Sequence, residues 1–251
     1  MSGDYILETE GLTKEFKGFV AVRDVSLQVR RHTIHALIGP NGAGKTTVFN
    51  LLTKFLTPTA GRIVYDGQDI TRTRAAMIAR NGMVRSFQIS AVFPHLTVRE
   101  NVRVALQRKL GTSFHFWRSA RSLDGLNAEA DTILDAVGLD GYGDLTAVEL
   151  PYGRKRALEI ATTLALEPRM LLLDEPMAGL AHEDIGRISA LIKQVAQNRT
   201  VLMVEHNMSV VADISDRITV LQRGQILAEG SYAEVSKDPR VIEAYVGTGH
   251  A

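Results

Sequence analysis

The 251-residue chain contains no cysteine. Disulfides, thiolate metal sites and cysteine nucleophiles are therefore excluded, and the composition suits a reducing compartment. No apolar run approaches the roughly 18–20 residues that a bilayer-spanning helix needs. Residues 1–8 show neither the basic nor the apolar stretch of a secretory leader, so the chain is expected to act from the aqueous side of any membrane it serves. Charge of one sign is also missing. With 29 Lys and Arg against 28 Asp and Glu, the formal net charge is +1, which gives no electrostatic reason to expect a nucleic-acid partner or strong attraction to acidic lipid.

What is present is organised around one stretch. Gly39-Pro40-Asn41-Gly42-Ala43-Gly44-Lys45-Thr46 follows the apolar run Ile34-His35-Ala36-Leu37-Ile38 and precedes an amphipathic run over residues 48–56. This is the pattern G-x-x-x-x-G-K-[ST] in its required setting, strand before and helix after. The glycines let the backbone curl so that its N–H groups converge on a phosphate chain, and a helix N-terminus adds partial positive charge. Lys45 is placed to reach the β- and γ-phosphates, and the Thr46 hydroxyl, followed by Thr47, is placed to ligate Mg²⁺. Val48, Leu51, Leu52, Phe55 and Leu56 trace one helical face, expected to be buried. The chain is thus expected to bind a nucleoside triphosphate.

Along the chain, residues 5–10 and 20–29 read as strands with a turn at Lys17-Gly18, and Asp66-Gly67 is a hairpin signal after a strand at 62–65. From about residue 89 to 167 the character is helical, with amphipathic segments at 97–106, 128–137 and 154–165 and a stop at Pro168. Strands at 170–173, 200–204, 216–221 and 225–229 follow, with a helix at 183–196. At 251 residues the chain is long enough for an α/β core with an inserted helical subdomain. The boundaries drawn are 1–88 for the N-terminal β subdomain and first part of the core, 89–167 for the helical insert, and 168–251 for the rest of the core and the tail.

The strand Met170-Leu171-Leu172-Leu173 ends in Asp174-Glu175. Ligand groups in parallel α/β sheets gather at the carboxyl ends of strands, so Asp174 is expected to hold Mg²⁺ and Glu175 to polarise an attacking water; the alternative is an acidic first turn of a helix. Val201-Leu202-Met203-Val204-Glu205-His206 repeats the pattern one strand on, which would bring His206 toward the γ-phosphate, and Gln88 would contact the metal or the water.

Taken together, these residues resemble the ATP-binding subunit of an ABC transporter over essentially the whole chain. The resemblance implies an ABC-type P-loop NTPase core with an N-terminal antiparallel β subdomain and an inserted helical subdomain. It implies ATP and Mg²⁺ as cofactors and Lys45, Gln88, Glu175 and His206 as catalytic residues. It also implies Phe16 as the aromatic that stacks on adenine, the alternative being a core phenylalanine of the N-terminal sheet. More narrowly, the stretches at 39–50, 84–88, 158–161 and 241–247, with an extra segment at 110–125, resemble the longer-insert subunit of branched-chain amino-acid importers; importers of urea and short amides look similar. The partners implied are a second ATPase subunit facing this one head to tail, transmembrane permeases and, indirectly, a solute-binding protein, which places the chain on the cytoplasmic face of the inner membrane. A lipid exporter and a soluble ATP switch fit less well, since the latter usually carries two nucleotide domains or a long coiled coil.

Two departures from the family pattern stand out. The signature loop, usually Leu-Ser-Gly-Gly-Gln, reads Leu150-Pro151-Tyr152-Gly153-Arg154, so Pro151 offers neither hydroxyl nor N–H, while Arg154 adds a positive charge. The loop at Ala178-Gly179-Leu180-Ala181 has alanine where aspartate is usual. Both elements act across the family's dimer interface, so a non-identical partner and two unequal ATP sites are expected. The segment Phe114-His115-Phe116-Trp117-Arg118-Ser119-Ala120-Arg121 is either a helix edge or a contact with the membrane face.

Overall fold

In the computed structural model, residues 3–86, 92–110 and 125–246 are described. They form two compact units: Met1–Arg85 with Arg169–Met177 and Ile192–Ala251, and Ser86–Pro168 with Ala178–Leu191.

The first unit carries two sheets. One is antiparallel and contains β1 (Tyr5–Phe16), β2 (Phe19–Val25), β3 (Gln28–Arg30), β5 (Ala60–Tyr65) and β6 (Gln68–Asp69), in the order β2-β1-β5-β6 with β3 also on β1. The other contains β4 (Ile34–Ile38), β7 (Met83–Ser86), β8 (Met170–Asp174), β9 (Thr200–Val204), β10 (Arg217–Gln222) and β11 (Gln225–Gly230) in the order β11-β10-β4-β9-β8-β7. β4 pairs in parallel with β9 and β10, and β9 with β8. Every residue of β4, β8 and β9 is buried, the consequence of apolar runs covered on both faces. Their carboxyl ends therefore point one way, and the loops after β4, β8 and β9 gather at one edge.

Helix α1 (Lys45–Leu52) buries Val48, Phe49, Leu51 and Leu52 in a core shared with Leu7, Leu12, Val25, Ile63 and Tyr65 of the antiparallel sheet. Each fully buried Leu or Phe contributes about 1.5–3 kcal/mol, which anchors the helix that carries Lys45. The expected stripe over 48–56 is shorter than its periodicity suggests. The helix caps at Thr53, Lys54 takes φ 62°, and Phe55 turns outward at 58% exposure, leaving Leu56 half-buried. The expected single strand over 20–29 is likewise two strands. Thr9 inserts its side chain at the break, its Oγ1 donating to the Val25 carbonyl at 2.9 Å and accepting from the Leu27 N–H at 2.8 Å. The Asp66-Gly67 turn has φ 49° and 75°, both positive as the two-residue hairpin requires. Short helices α2 (Ala75–Arg80), α7 (Met208–Ile214), α8 (Tyr232–Val235) and α9 (Pro239–Val246) complete this unit.

The second unit holds α3 (Val98–Leu106), α4 (Asn127–Ala136), α5 (Tyr152–Leu164) and the first ten residues of α6 (His182–Ala196). Thr97 starts α3 with a capping box: its Oγ1 accepts from the Glu100 N–H at 3.1 Å, and the Glu100 carboxylate accepts from the Thr97 N–H at 2.8 Å. Val98, Val102 and Leu106 then fall on one buried face. Among the described residues of this region, α3, α4 and α5 fall on the expected amphipathic segments, and the extended pairing is one bridge between Thr97 and Thr146.

Candidate functional site

The buried strand β4 delivers the chain to Gly39, where the backbone has no room for a side chain. A Cβ there would stand 2.2 Å from the Leu221 carbonyl oxygen of β10, at φ 150°. Gly44, at φ 100°, is similarly tight: a Cβ would meet the Ala21 carbonyl oxygen at 2.8 Å. Glycine at these two points lets the loop Gly39–Lys45 lie flat across β10 and β2. Lys45 opens α1, and its Nζ donates to the carbonyl oxygens of Gly39 at 2.7 Å and Pro40 at 3.0 Å. Thr46, in the first turn of α1, is exposed, and Thr47 beside it half-buried.

Asp174 and Glu175 reach this loop electrostatically. Burial lowers the Lys45 pKa, while the carboxylates of Glu175 and Asp174 act in the opposite direction. Asp174, last residue of β8, is 3% exposed, and its Oδ2 accepts from Arg85 of β7 at 2.5 Å. Glu175 adopts φ 47° and donates its N–H to the Val204 carbonyl at 2.9 Å. A non-glycine residue in this left-handed region carries strain. The Glu175 Oε1 lies 3.9 Å from Nδ1 of His206, which follows β9 and is largely exposed. Lys45, Asp174, Glu175 and His206 are thus brought to one edge of one unit. Two acids after a strand do not here form the first turn of a helix: α6 begins at His182.

Two further charged groups at this edge carry no role in the sequence pattern. Arg85 is one. Glu205 is the other: it is buried, which pushes its carboxyl pKa up, while backbone N–H groups of His206, Asn207 and Met177 pull it back. Its Oε2 accepts from the His206 N–H at 3.1 Å, at the foot of the loop that carries His206. Its one signal in the sequence is an acidic residue directly after a buried strand, which by itself does not distinguish it from a solvated strand end.

Phe16 ends β1 at 41% exposure, with the Lys14 ammonium 5.0 Å from its ring centroid. It is a surface aromatic rather than a core one. One side of the phosphate loop borders a cavity of about 620 Å³ whose walls include Pro40, Asn41, Arg223, Leu227, Glu243 and Ala244. None of Lys45, Thr46, Asp174, Glu175 or His206 lines it. Helix α9 closes that side. Burial raises the Tyr245 phenol to about 12, and the Gly39 backbone N–H lowers it.

The residues at 150–154 belong to the second unit. Pro151 caps α5, and Tyr152 donates its hydroxyl to the Ala178 carbonyl at 3.3 Å, against Gly179. Gly153 is buried where a Cβ would come within 2.2 Å of the Asp184 carboxyl carbon. The Arg154 guanidinium lies 4.0 Å from the Tyr142 ring centroid and donates to the Gly138 carbonyl at 3.4 Å, so its charge is held on the unit's own loop. Both sequence departures, at Pro151 and in the 178–181 loop, therefore share one cluster through Tyr152. Gln88 and the aromatic-basic segment 114–121 lie outside the described residues.

Comparison with known proteins agrees with this geometry. A profile for the ABC transporter family matches residues 22–178, and one for the branched-chain amino acid ATP-binding cassette transporter matches residues 225–251. The chain is 42% identical to the high-affinity branched-chain amino acid transport ATP-binding protein BraF of Pseudomonas aeruginosa, over 96% of this chain and 98% of that protein. It is 40% identical to the corresponding LivG protein of Escherichia coli K12, again over 96% and 98%. Among solved structures it superposes on the ADP conformation of an ATP-binding cassette of an ABC transporter with a TM-score of 0.84, at 31% identity over 97% of this chain and 99% of the other. A nucleotide-free cassette gives 0.83 at 30% identity, over 96% and 98%. The chain belongs to the ATP-binding subunits of the ABC transporter family.

Proposed function

We propose that this chain hydrolyses ATP to power uptake of branched-chain or related amino acids, paired with a second, non-identical ATPase subunit and docked on transmembrane permeases. The observation that supports this most is that β4, β9 and β8 pair in parallel, so the phosphate loop, Asp174-Glu175 and His206 follow strand ends at one edge, in a chain about 40% identical to branched-chain amino acid ATP-binding subunits over nearly its full length.

On this reading the phosphate chain enters the loop at 39–46 and Lys45 leaves the Gly39 and Pro40 carbonyls for phosphate oxygens. The N–H groups at the start of α1 face the same anion. Phe16 offers its exposed ring to the adenine. Glu175 orients a water and accepts its proton as the water oxygen attacks the γ-phosphorus; the bond from that phosphorus to the β–γ bridging oxygen breaks, leaving ADP and phosphate. His206, within reach of Glu175, holds the γ-phosphate side of the site, and Gln88 is assigned to the same water and metal. The work is positioning and charge stabilisation, since phosphoryl transfer asks for no covalent chemistry from the protein.

Mg²⁺ fits the residues present. Thr46 supplies a hydroxyl and Asp174 a carboxylate, both hard oxygen donors. Among the described residues there is no cluster of three or more His, Cys, Asp or Glu side chains, which suits an ion held by one or two protein groups plus substrate phosphates. When bound, the ion supplies Lewis-acid neutralisation of the developing phosphate charge.

Pro151, Tyr152, Gly153 and Arg154 would face the nucleotide of the partner subunit. Pro151 brings no donor there, and Arg154 is turned to Tyr142 and Gly138, so the partner's site should be the slower of two. Peripheral attachment at the cytoplasmic face of the inner membrane follows from docking on permeases, and a solute-binding protein is reached only through them. Among the described residues no helix is long and apolar enough to cross a membrane. The test is reconstitution of the transporter in vesicles with ATP and labelled solutes. ATP-dependent uptake of leucine, isoleucine or valine supports the reading, and uptake of urea or a short amide instead overturns the choice of solute.

A further inference from the structure

The Arg85 guanidinium is the busiest group at the nucleotide edge that the mechanism leaves unused. It comes from β7, is 10% exposed, and donates through Nη2 to Asp174 Oδ2 at 2.5 Å, itself 4% exposed. Its Nη1 donates to Asn50 Oδ1 on α1 at 2.6 Å, and its central carbon lies 5.6 Å from the Phe49 ring centroid. One planar side chain thus ties three elements together: β7, the helix of the phosphate loop and the strand ending in Asp174. A lysine, with a point charge on a flexible stem, does not reproduce this fork.

A carboxylate buried to this degree needs a compensating charge. Before any metal ion is present, Arg85 supplies it, fixing Asp174 in place. We infer that Arg85 is the resident counter-ion and positioning residue of Asp174, holding the metal-binding carboxylate in the nucleotide-free state and sharing it with the divalent ion when MgATP arrives. The inference rests on the reading of Asp174 as the metal-binding carboxylate. Its consequence is opposed effects on ion and fold. Arg85 makes the empty site stable and, by placing a positive charge beside the ion, weakens divalent-ion binding. Like charges sharing one carboxylate repel strongly enough, even at an effective dielectric constant of about 20, to change affinity ten-fold or more.

The test uses the full chain with ADP and Mn²⁺, followed by electron paramagnetic resonance of free Mn²⁺, together with thermal unfolding with and without the ion. Arg85→Met is expected to bind Mn²⁺ at least ten-fold more tightly than the unsubstituted chain in the ADP complex. It should unfold at a lower temperature without the ion and gain more from its addition. Arg85→Lys keeps a charge but loses the two-point hold. It should keep the Mn²⁺ affinity within about three-fold while losing stability, and it serves if the Met variant does not fold. Unchanged or weaker Mn²⁺ binding in Arg85→Met overturns the inference, as does tightening in Arg85→Lys equal to that in Arg85→Met. Asp174→Asn separates the two levels. If it leaves Mn²⁺ binding intact, the metal reading of Asp174 is wrong; if it removes binding while Arg85→Met has no effect, only the role of Arg85 is wrong.

Discussion

Lys45 donates its ammonium to the carbonyl oxygen of Gly39 at 2.7 Å, so the phosphate loop is closed on itself by the residue expected to grip the substrate. The same ammonium also reaches Pro40 at 3.0 Å. These bonds must be exchanged for phosphate contacts when nucleotide binds. Lys45→Met is therefore expected to lose both the internal clasp and the charge on the phosphates. Hydrolysis should fall roughly 10²–10³-fold, the range for removing one charge-stabilising donor, and nucleotide affinity should fall with it. Steady-state ATPase and nucleotide titration of the variant check this.

Gly39 and Gly42 provide a matched pair of substitutions. Both have positive φ, at 150° and 76°, but only at Gly39 would a Cβ strike backbone, 2.2 Å from the Leu221 carbonyl oxygen; around Gly42 there is open space. Gly42→Ala should cost roughly 1–2 kcal/mol from backbone conformation alone. Gly39→Ala should cost clearly more, because the loop must lift off β10. Urea unfolding of the two variants under one set of conditions ranks them.

Acid stability turns on His35. This residue is fully buried on β4, with its Nε2 2.8 Å from Thr219 Oγ1, which donates to Glu229 at 2.7 Å. Burial depresses its pKa to about 4, Glu229 acting to raise it and Arg217 to lower it further. The unfolded chain takes up the proton near pH 6.5 and the folded chain only near 4. Between those values the unfolded state binds more protons, so stability is full above about 6.5 and is lost as pH falls toward 4, by on the order of 3 kcal/mol. His35→Gln, which keeps a partner for Thr219, should flatten that part of the profile. Parallel urea profiles for the two proteins between pH 7 and pH 4 would sink this assignment.

The unequal-site expectation has its own test in the assembled transporter. Pro151→Ser in this chain restores a hydroxyl and an N–H at the start of α5, and it should speed the slower site roughly ten-fold or more, within the range of a single restored donor. Tyr152 and its contact with Ala178 need not change. Rates measured with the partner's site isolated by Glu175→Gln in this chain give the answer.

Much of this was legible because the pattern and its cause coincide. Five consecutive buried residues in β4, β8 and β9 came from mostly apolar runs, His35 being the polar exception inside β4, and the acids and histidine at their ends followed from where parallel strands point. What was missed depends on tertiary placement. The break between Val25 and Gln28 is made by a distant Thr9 hydroxyl, and Phe55 leaves its stripe because Lys54 takes a left-handed turn. Arg85 and Glu205 could not be assigned from one sequence, since a charge near a motif acquires its role only when its partner, Asp174 or the Met177 loop, is known. The tail gave no periodic signal strong enough to place Tyr245 beside Gly39.

The central claim is that this chain's own Glu175 commits ATP to hydrolysis and that the hydrolysis drives uptake. Glu175→Gln in the assembled transporter, assayed for ATP binding, ATPase and labelled leucine uptake in one preparation, tests it most directly. The account predicts retained ATP binding with hydrolysis at this site and uptake both falling about 10²-fold or more, in keeping with loss of a general base. Undiminished uptake with ATP still bound would contradict it.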